Sequence, residues 1–322
     1  MVNYKKGGNQ LASKIVLIGS GAVGATFAYT VLVKGLATEL VIIDQNKDKA
    51  LGDALDLNHG LMLAYPMKIK AGGYEDCEGA DLIVIAAGAA QRPGETRLDL
   101  MGRNVAIFRS ILGEVTQYTQ TAILLIATNP VDLLTLVALK ITGWPKNRVL
   151  GSGTLLDSSR FRYLVGQKLR IDPRSVHGLI IGEHGDSEVP LWSSLNVVGT
   201  PLEDHEENSR FYISPEEKEK IYEETRGAAY EIIAKKGATY YAIALALARI
   251  TEAILRDQRS ILPVSAYLEG EYGVSDICLG VPCVLGNNGI EEIVQVPLSQ
   301  EEREGFLKSA KTLKEFSHQI GF

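Results

Sequence analysis

An open, doubly wound α/β sheet of the Rossmann type, followed by a mixed α+β substrate domain, is the fold this chain predicts. Three observations carry that expectation: short apolar runs alternating with helical stretches, a glycine-rich turn between the first run and the first helix, and an acid closing the second run. Lys14–Ile18, Glu39–Ile43, Leu82–Ala87 and Ala122–Ala127 are the apolar runs, each too short for anything but a buried strand. Helical stretches at Gly21–Val33 and Asp48–Leu61 separate them, so the first half reads as βαβ units with right-handed crossovers and helices on both faces.

The second half is mixed. Leu155–Leu169 predicts a helix and Val176–Ile181 a strand. Ser214-Pro215-Glu216-Glu217 places an N-cap, a proline at the first helical position and a capping-box glutamate in order. Tyr240–Arg249 predicts a mostly buried helix, and Ser299 with Glu302 opens a C-terminal helix with Phe306, Leu307, Ala310 and Leu313 on one face. The break between the two halves falls near Gly151-Ser152-Gly153. It gives a first domain over 1–151 and a second over 152–322.

With 322 residues the chain is long enough for two domains. Its net charge of −6, from 33 basic and 39 acidic residues without a basic block, argues against nucleic acid. No apolar run is long enough to span a membrane. Glycines at 19, 21 and 24 interrupt the one stretch that imitates a secretory signal. Cys77, Cys278 and Cys283 lack metal-ligand spacing and read as buried thiols of a cytoplasmic protein, with no metal expected.

The turn Gly19-Ser20-Gly21-Ala22-Val23-Gly24 follows a strand and opens a helix, the context a dinucleotide fingerprint requires. Gly19 permits the tight turn, Gly21 lets a pyrophosphate reach the backbone, and Gly24 brings helix and strand together. Asp44, 20 positions after Gly24, ends the second strand where a carboxylate binds both ribose hydroxyls and repels a 2′-phosphate, which favours NAD over NADP.

His184 lies in the polar turn Gly182-Glu183-His184-Gly185-Asp186, where an imidazole suits general acid/base work. Asp157 is a candidate to orient it, and Arg160, three residues on along the same helical face, suits bidentate capture of a carboxylate. Gln91-Arg92-Pro93-Gly94-Glu95-Thr96-Arg97 follows the third apolar run, at the end of the strand where such sheets bind ligands. Arg97 can recognise or polarise an anion there, whereas Gln91 is neutral where a charge would suit a dianion. Gly88, Pro93 and Gly94 give the segment to Leu100 the means to close as a lid.

Taken in order, Gly19–Gly24 with Asp44, Gln91–Leu100, Asn129–Asp132, Leu156–Arg162, Gly182–Asp186 and Lys236–Thr239 resemble the L-lactate dehydrogenase branch of the lactate/malate dehydrogenase superfamily. That resemblance covers essentially the whole chain. It implies reversible hydride transfer between NADH and pyruvate, with His184 as proton donor and acceptor and Asp157 as its orienting partner. Arg160 then holds the substrate carboxylate, Arg97 polarises the carbonyl, Asn129 hydrogen-bonds near the reacting centre, and Thr239 lines the pocket. Val23 and Asn129 join the glycines and Asp44 as cofactor contacts. Malate dehydrogenases carry an arginine at the position of Gln91, so alignment on Pro93-Gly94 and Arg97 favours pyruvate over oxaloacetate. Arg162 and His177 match positions that bind fructose 1,6-bisphosphate at a subunit interface in bacterial members, which implies a homotetramer open to activation. A malate dehydrogenase and a non-catalytic NAD-binding protein are the alternatives at this point.

Overall fold

A computed structural model describes residues 13–89 and 97–322, with the side chain of Arg97 outside the description. The first half runs β1 (Lys14–Ile18), α1 (Ala22–Lys34), β2 (Glu39–Ile43), α2 (Lys47–His59), β3 (Lys68–Ala71), β4 (Leu82–Ile85), α3 (Arg97–Tyr118), β5 (Ile123–Ile126), α4 (Val131–Thr142) and β6 (Val149–Gly151). The second half runs α5 (Leu155–Leu169), β7 (Val176–His177), β8 (Ile180–Ile181), β9 (Val189–Pro190), β10 (Asn196–Val197), β11 (Thr200–Pro201), α6 (Pro215–Lys236), α7 (Tyr241–Leu255), β12 (Ser260–Glu269), β13 (Ser275–Gly286), β14 (Gly289–Ile293) and α8 (Gln300–Gln319).

Six strands pair in parallel in the order β3-β2-β1-β4-β5-β6, the doubly wound arrangement. Strands β1, β4 and β5 are buried along nearly their whole length, because helices cover both faces of a parallel sheet. The strand order reverses between β1 and β4, so the carboxyl ends of these two strands open the crevice where such sheets take ligands. Strands β12, β13 and β14 from the second half then extend the same sheet antiparallel, joining it where Ser265 pairs with Gly151.

Both predicted capping boxes are present: Ser214 accepts from Glu217 N at the start of α6, and Ser299 from Glu302 N at the start of α8. Two expectations are corrected. The strand foreseen over Val176–Ile181 is two short strands in different sheets, β7 beside β10 and β8 beside β9. Gly178 lies between them, and a Cβ there would sit 2.5 Å from Leu195 Cδ1 and 3.0 Å from Phe161 Cε1, so the chain squeezes past the small core formed around Phe161. On α8, Phe306, Ala310 and Leu313 are buried as foreseen but Leu307 is 40% exposed, since it falls off the buried stripe. The thiols of Cys77, Cys278 and Cys283 are free and buried. Among the described residues no helix is long and apolar enough to cross a membrane, and no group of His, Cys, Asp or Glu has the arrangement of a metal site.

Candidate active site

The turn after β1 is built to leave backbone bare. Gly19 has φ +102, and a Cβ on it would lie 2.4 Å from Ala87 N; one on Gly24 would lie 1.9 Å from Gly19 O. Both positions therefore exclude any side chain. Gly21 differs: a Cβ there would meet nothing within 4 Å, so the space outside it is open. It is also the N-cap of α1 without a side-chain capping hydrogen bond, which leaves N–H groups of the first turn for an anion. Val23 stands half-buried in that turn.

Asp44 follows β2, and its carboxylate is held by two backbone donors: Ser20 N to Oδ2 at 2.7 Å and Asn46 N to Oδ1 at 2.8 Å. A cavity of about 330 Å³ runs from this turn past Tyr74 to Gly88 and Ile111, and none of its described lining residues is basic. An acid in a cleft without a cation accepts ribose hydroxyls and repels a ribose phosphate. The residues present thus fit NAD.

The second cluster lies in the turn after β8. Gly182, at φ +92, exchanges two backbone hydrogen bonds with Gly280 of β13. Glu183 N donates to Ser309 Oγ on α8 at 2.7 Å, and His184 N donates to Asp132 Oδ2 on α4 at 2.7 Å. Three elements distant in sequence therefore pin the turn. His184 Nδ1 donates to Asp157 Oδ2 at 2.5 Å, while Arg160 Nη1 donates to Asp157 Oδ1 at 2.9 Å. One carboxylate on α5 thereby fixes both the imidazole and the guanidinium, and Nε2 remains the ring nitrogen not engaged by it.

Burial disfavours the charge on Asp157, but the positive charges of His184 and Arg160 outweigh it and hold its carboxyl below the usual range. Burial likewise pulls His184 down, and the Asp157 carboxylate overrides this, raising the imidazole to about 9. Both directions agree on the same charged arrangement: Asp157 ionised, His184 protonated at neutral pH. Such a site can hold an anion on Arg160 and donate a proton from Nε2 beside it.

Elsewhere the foreseen residues are more scattered. Asn129 is exposed at the end of β5, and its carbonyl accepts from Asn104 Nδ2 at 3.2 Å. Thr239 is half-buried in the turn between α6 and α7. Gln91 and the rest of the foreseen lid up to Thr96 lie outside the described residues; Arg97 begins α3, with its side chain outside them too. Arg162, half-buried on α5, has Nη2 3.5 Å from Arg174 O, and His177 is exposed on the adjoining β7.

Asp132 escaped the sequence reading. It is 2% exposed and takes both the His184 amide and, at 2.5 Å, the Ser265 hydroxyl from β12; burial raises its carboxyl to about 6. Near a helix start, an aspartate reads locally as a favourable charge against the helix dipole. Its two partners are 52 and 133 residues away, beyond any local signal.

Comparison with known proteins matches the same two regions. The NAD-binding domain of lactate/malate dehydrogenases matches residues 13–151, and the α/β C-terminal domain of lactate/malate dehydrogenases matches residues 154–320. The L-lactate dehydrogenase of Acetivibrio thermocellus is 50% identical over 307 residues, covering 95% of this chain and 97% of that protein. The L-lactate dehydrogenase of Thermoanaerobacter pseudethanolicus is 54% identical over 302 residues, covering 94% and 97%. The crystal structure of the minor L-lactate dehydrogenase from Enterococcus mundtii in its ligand-bound form superposes with a TM-score of 0.93 at 42% identity, covering 96% of this chain and 98% of that one.

Proposed function

The chain belongs to the lactate/malate dehydrogenase family, and from that premise we propose that it is an NAD-dependent L-lactate dehydrogenase interconverting pyruvate and L-lactate. The observation that carries the proposal is the single buried Asp157 carboxylate binding His184 and Arg160 together. A 2-oxo acid presents a carboxylate and a carbonyl on adjacent carbons, and this pair of side chains supplies a cation and a proton donor held to one anchor.

On this reading, residues 1–151 carry the cofactor and the lid, and residues 152–322 carry the acid/base and the carboxylate site. Arg160 binds the pyruvate carboxylate, and His184 gives its Nε2 proton to the carbonyl oxygen as negative charge develops there. Asp157 stabilises the imidazolium before transfer and keeps Nδ1 protonated afterwards. Arg97 polarises the carbonyl, Asn129 donates near the reacting centre, and Thr239 closes the pocket wall. Gly19, Gly21, Val23, Gly24 and Asp44 would hold NADH, whose chemistry there would be hydride donation. In the reverse direction, neutral His184 takes the hydroxyl proton of lactate.

Gln91 selects the monocarboxylate by withholding a charge, since the second carboxylate of oxaloacetate would be desolvated without a cation. Gln91→Arg is expected to shift the ratio of kcat/KM for oxaloacetate over pyruvate upward by about 100-fold, the worth of a roughly 3 kcal/mol charge pair. If oxaloacetate gains nothing in the variant, Gln91 is not the selector.

The protein assembles as a homotetramer in the cytoplasm. Self-association is supported by exposed apolar side chains: Leu51 and Leu55 one turn apart on α2, then Met62 and Leu63 at 92% and 93% exposure. The free buried thiols suit a reducing compartment. Arg162 and His177, on packed neighbours α5 and β7, collect the phosphates of fructose 1,6-bisphosphate across a subunit interface and bias the tetramer towards its active state. NADH oxidation with pyruvate and with oxaloacetate, each with and without the bisphosphate, tests the whole reading. Pyruvate is expected to be preferred and its saturation curve to shift leftward with the bisphosphate. Coincident curves remove the activation, and inactivity on both acids removes the enzyme.

A further inference from the structure

We propose that Glu188 is a further positioning residue of this reaction: its buried carboxyl serves the Asp157–His184–Arg160 cluster as a neutral acid, and its ionisation weakens capture of the substrate carboxylate. The inference rests on the reading of that cluster as a 2-oxo acid site.

Glu188 lies four residues beyond His184, at the entry to β9, and is 3% exposed. Its backbone is fixed, because the Tyr222 hydroxyl of α6 donates to Glu188 O at 2.8 Å. Its side chain is not: Oε1 is buried without a hydrogen-bond partner, and among the described residues no cation lies within ion-pair distance of the carboxyl. Glu302 of α8 lines the same cavity, of about 560 Å³, and shows how a buried carboxyl is satisfied there. Its oxygens accept from Ser193 N at 2.9 Å, Ser193 Oγ at 2.6 Å and Ser299 N at 2.8 Å. Glu188 has no such set of donors. A buried carboxylate without donors is costly, whereas a protonated carboxyl tolerates the same place.

The surrounding charges point the same way. Burial is the largest influence and the Asp157 carboxylate of α5 adds to it, while His184, Arg160 and Arg226 of α6 act against them; the balance pushes Glu188 up to about 8. Asp186 from its own segment, Glu203 from the turn after β11, and Glu219, Glu301 and Glu302 from α6 and α8 also line the cavity, and Lys218, Arg226 and Lys308 line it with the opposite sign.

The consequence is a matter of charge. Asp157 ionised, with His184 and Arg160 protonated, gives these three groups one net positive charge to meet a substrate carboxylate, and Asp132, held to the His184 amide, already opposes it. An ionised Glu188 adds a further negative charge against the substrate carboxylate before it arrives. The effect therefore belongs to KM, and it adds an ionisation to the alkaline limb beyond that of His184.

Glu188→Gln imitates the neutral acid and cannot ionise. In pyruvate reduction by the intact protein, log kcat/KM of the wild type is expected to fall towards a slope of −2 at high pH, and that of E188Q towards −1. The ratio of E188Q to wild type is then expected to rise about 30-fold between pH 7 and pH 9.5, through KM and not kcat, as one removed ionisation near 8 requires. A merely structural role changes E188Q by the same factor at every pH, and a ratio independent of pH overturns the proposal. If E188Q does not fold, the wild-type slope alone decides: −2 supports the second group and −1 overturns it. Absence of pyruvate reduction at every pH defeats the enzyme reading instead, so the two failures are distinct.

Discussion

Replacing His184 with asparagine is expected to lower kcat for pyruvate reduction by about 1,000-fold, within the range a positioned proton donor contributes. The structure gives the reason for so large a loss. The imidazole is held at Nδ1 by Asp157 and at its backbone by Asp132, so it is fixed before substrate binds and no other described group with a transferable proton is held in the same way. The sign of the pH dependence follows from its raised value of about 9. Pyruvate reduction needs the protonated imidazole, so His184 supports the full rate below that value and the rate falls as pH rises through it. Lactate oxidation needs the neutral ring and rises over the same interval. In the asparagine variant the ionisation due to His184 should vanish from both profiles, while NADH binding, measured by fluorescence, persists. A loss under tenfold, or an unaltered alkaline limb, would show that another group transfers the proton.

The second large effect is expected at Arg160. Arg160→Lys keeps the charge but loses the planar fork that a carboxylate matches, and a lysine cannot reach both Asp157 and substrate in the same geometry. We expect kcat/KM for pyruvate to fall by about 1,000-fold, equivalent to roughly 4 kcal/mol, mainly through KM. Asp157 would retain His184, so the pH at which reduction declines should move less than the KM does. A KM within threefold of wild type would place the substrate carboxylate elsewhere.

The two predictions differ in how far the sequence alone supports them. His184, Asp157 and Arg160 were legible as types in suggestive places, and the spacing of Asp157 and Arg160 correctly put them on one helical face. That Asp157 also serves as the junction of all three required α5 to pack beside the turn after β8. Asp132 was legible only as the end of the Asn129–Asp132 segment, without a role, and Glu188 was not singled out. The chemistry of each depends on burial and on partners from other elements: Ser265 of β12 in one case, Tyr222 and the Asp157 cluster in the other. Gly178 shows the same limit in the fold. Within Val176–Ile181 the apolar pattern reads as one strand, and only the approach of Leu195 and Phe161 reveals why the chain changes partners there.

The sequence by itself determined the parallel sheet, its crossovers, the bare-backbone turn with its acid, and the capping boxes, because each depends on residues close in the chain. Unbroken apolar runs demand covered strands, Gly19 and Gly24 forbid side chains, and Asp44 stands where β2 ends. Tertiary structure decided the extension of that sheet by β12–β14, the sharing of one carboxylate between His184 and Arg160, and the burial of Glu188 with its Oε1 unpartnered. The physical reason is range. Propensity, capping and backbone sterics act over a few residues, whereas desolvation and Coulomb interactions depend on what the finished fold brings alongside.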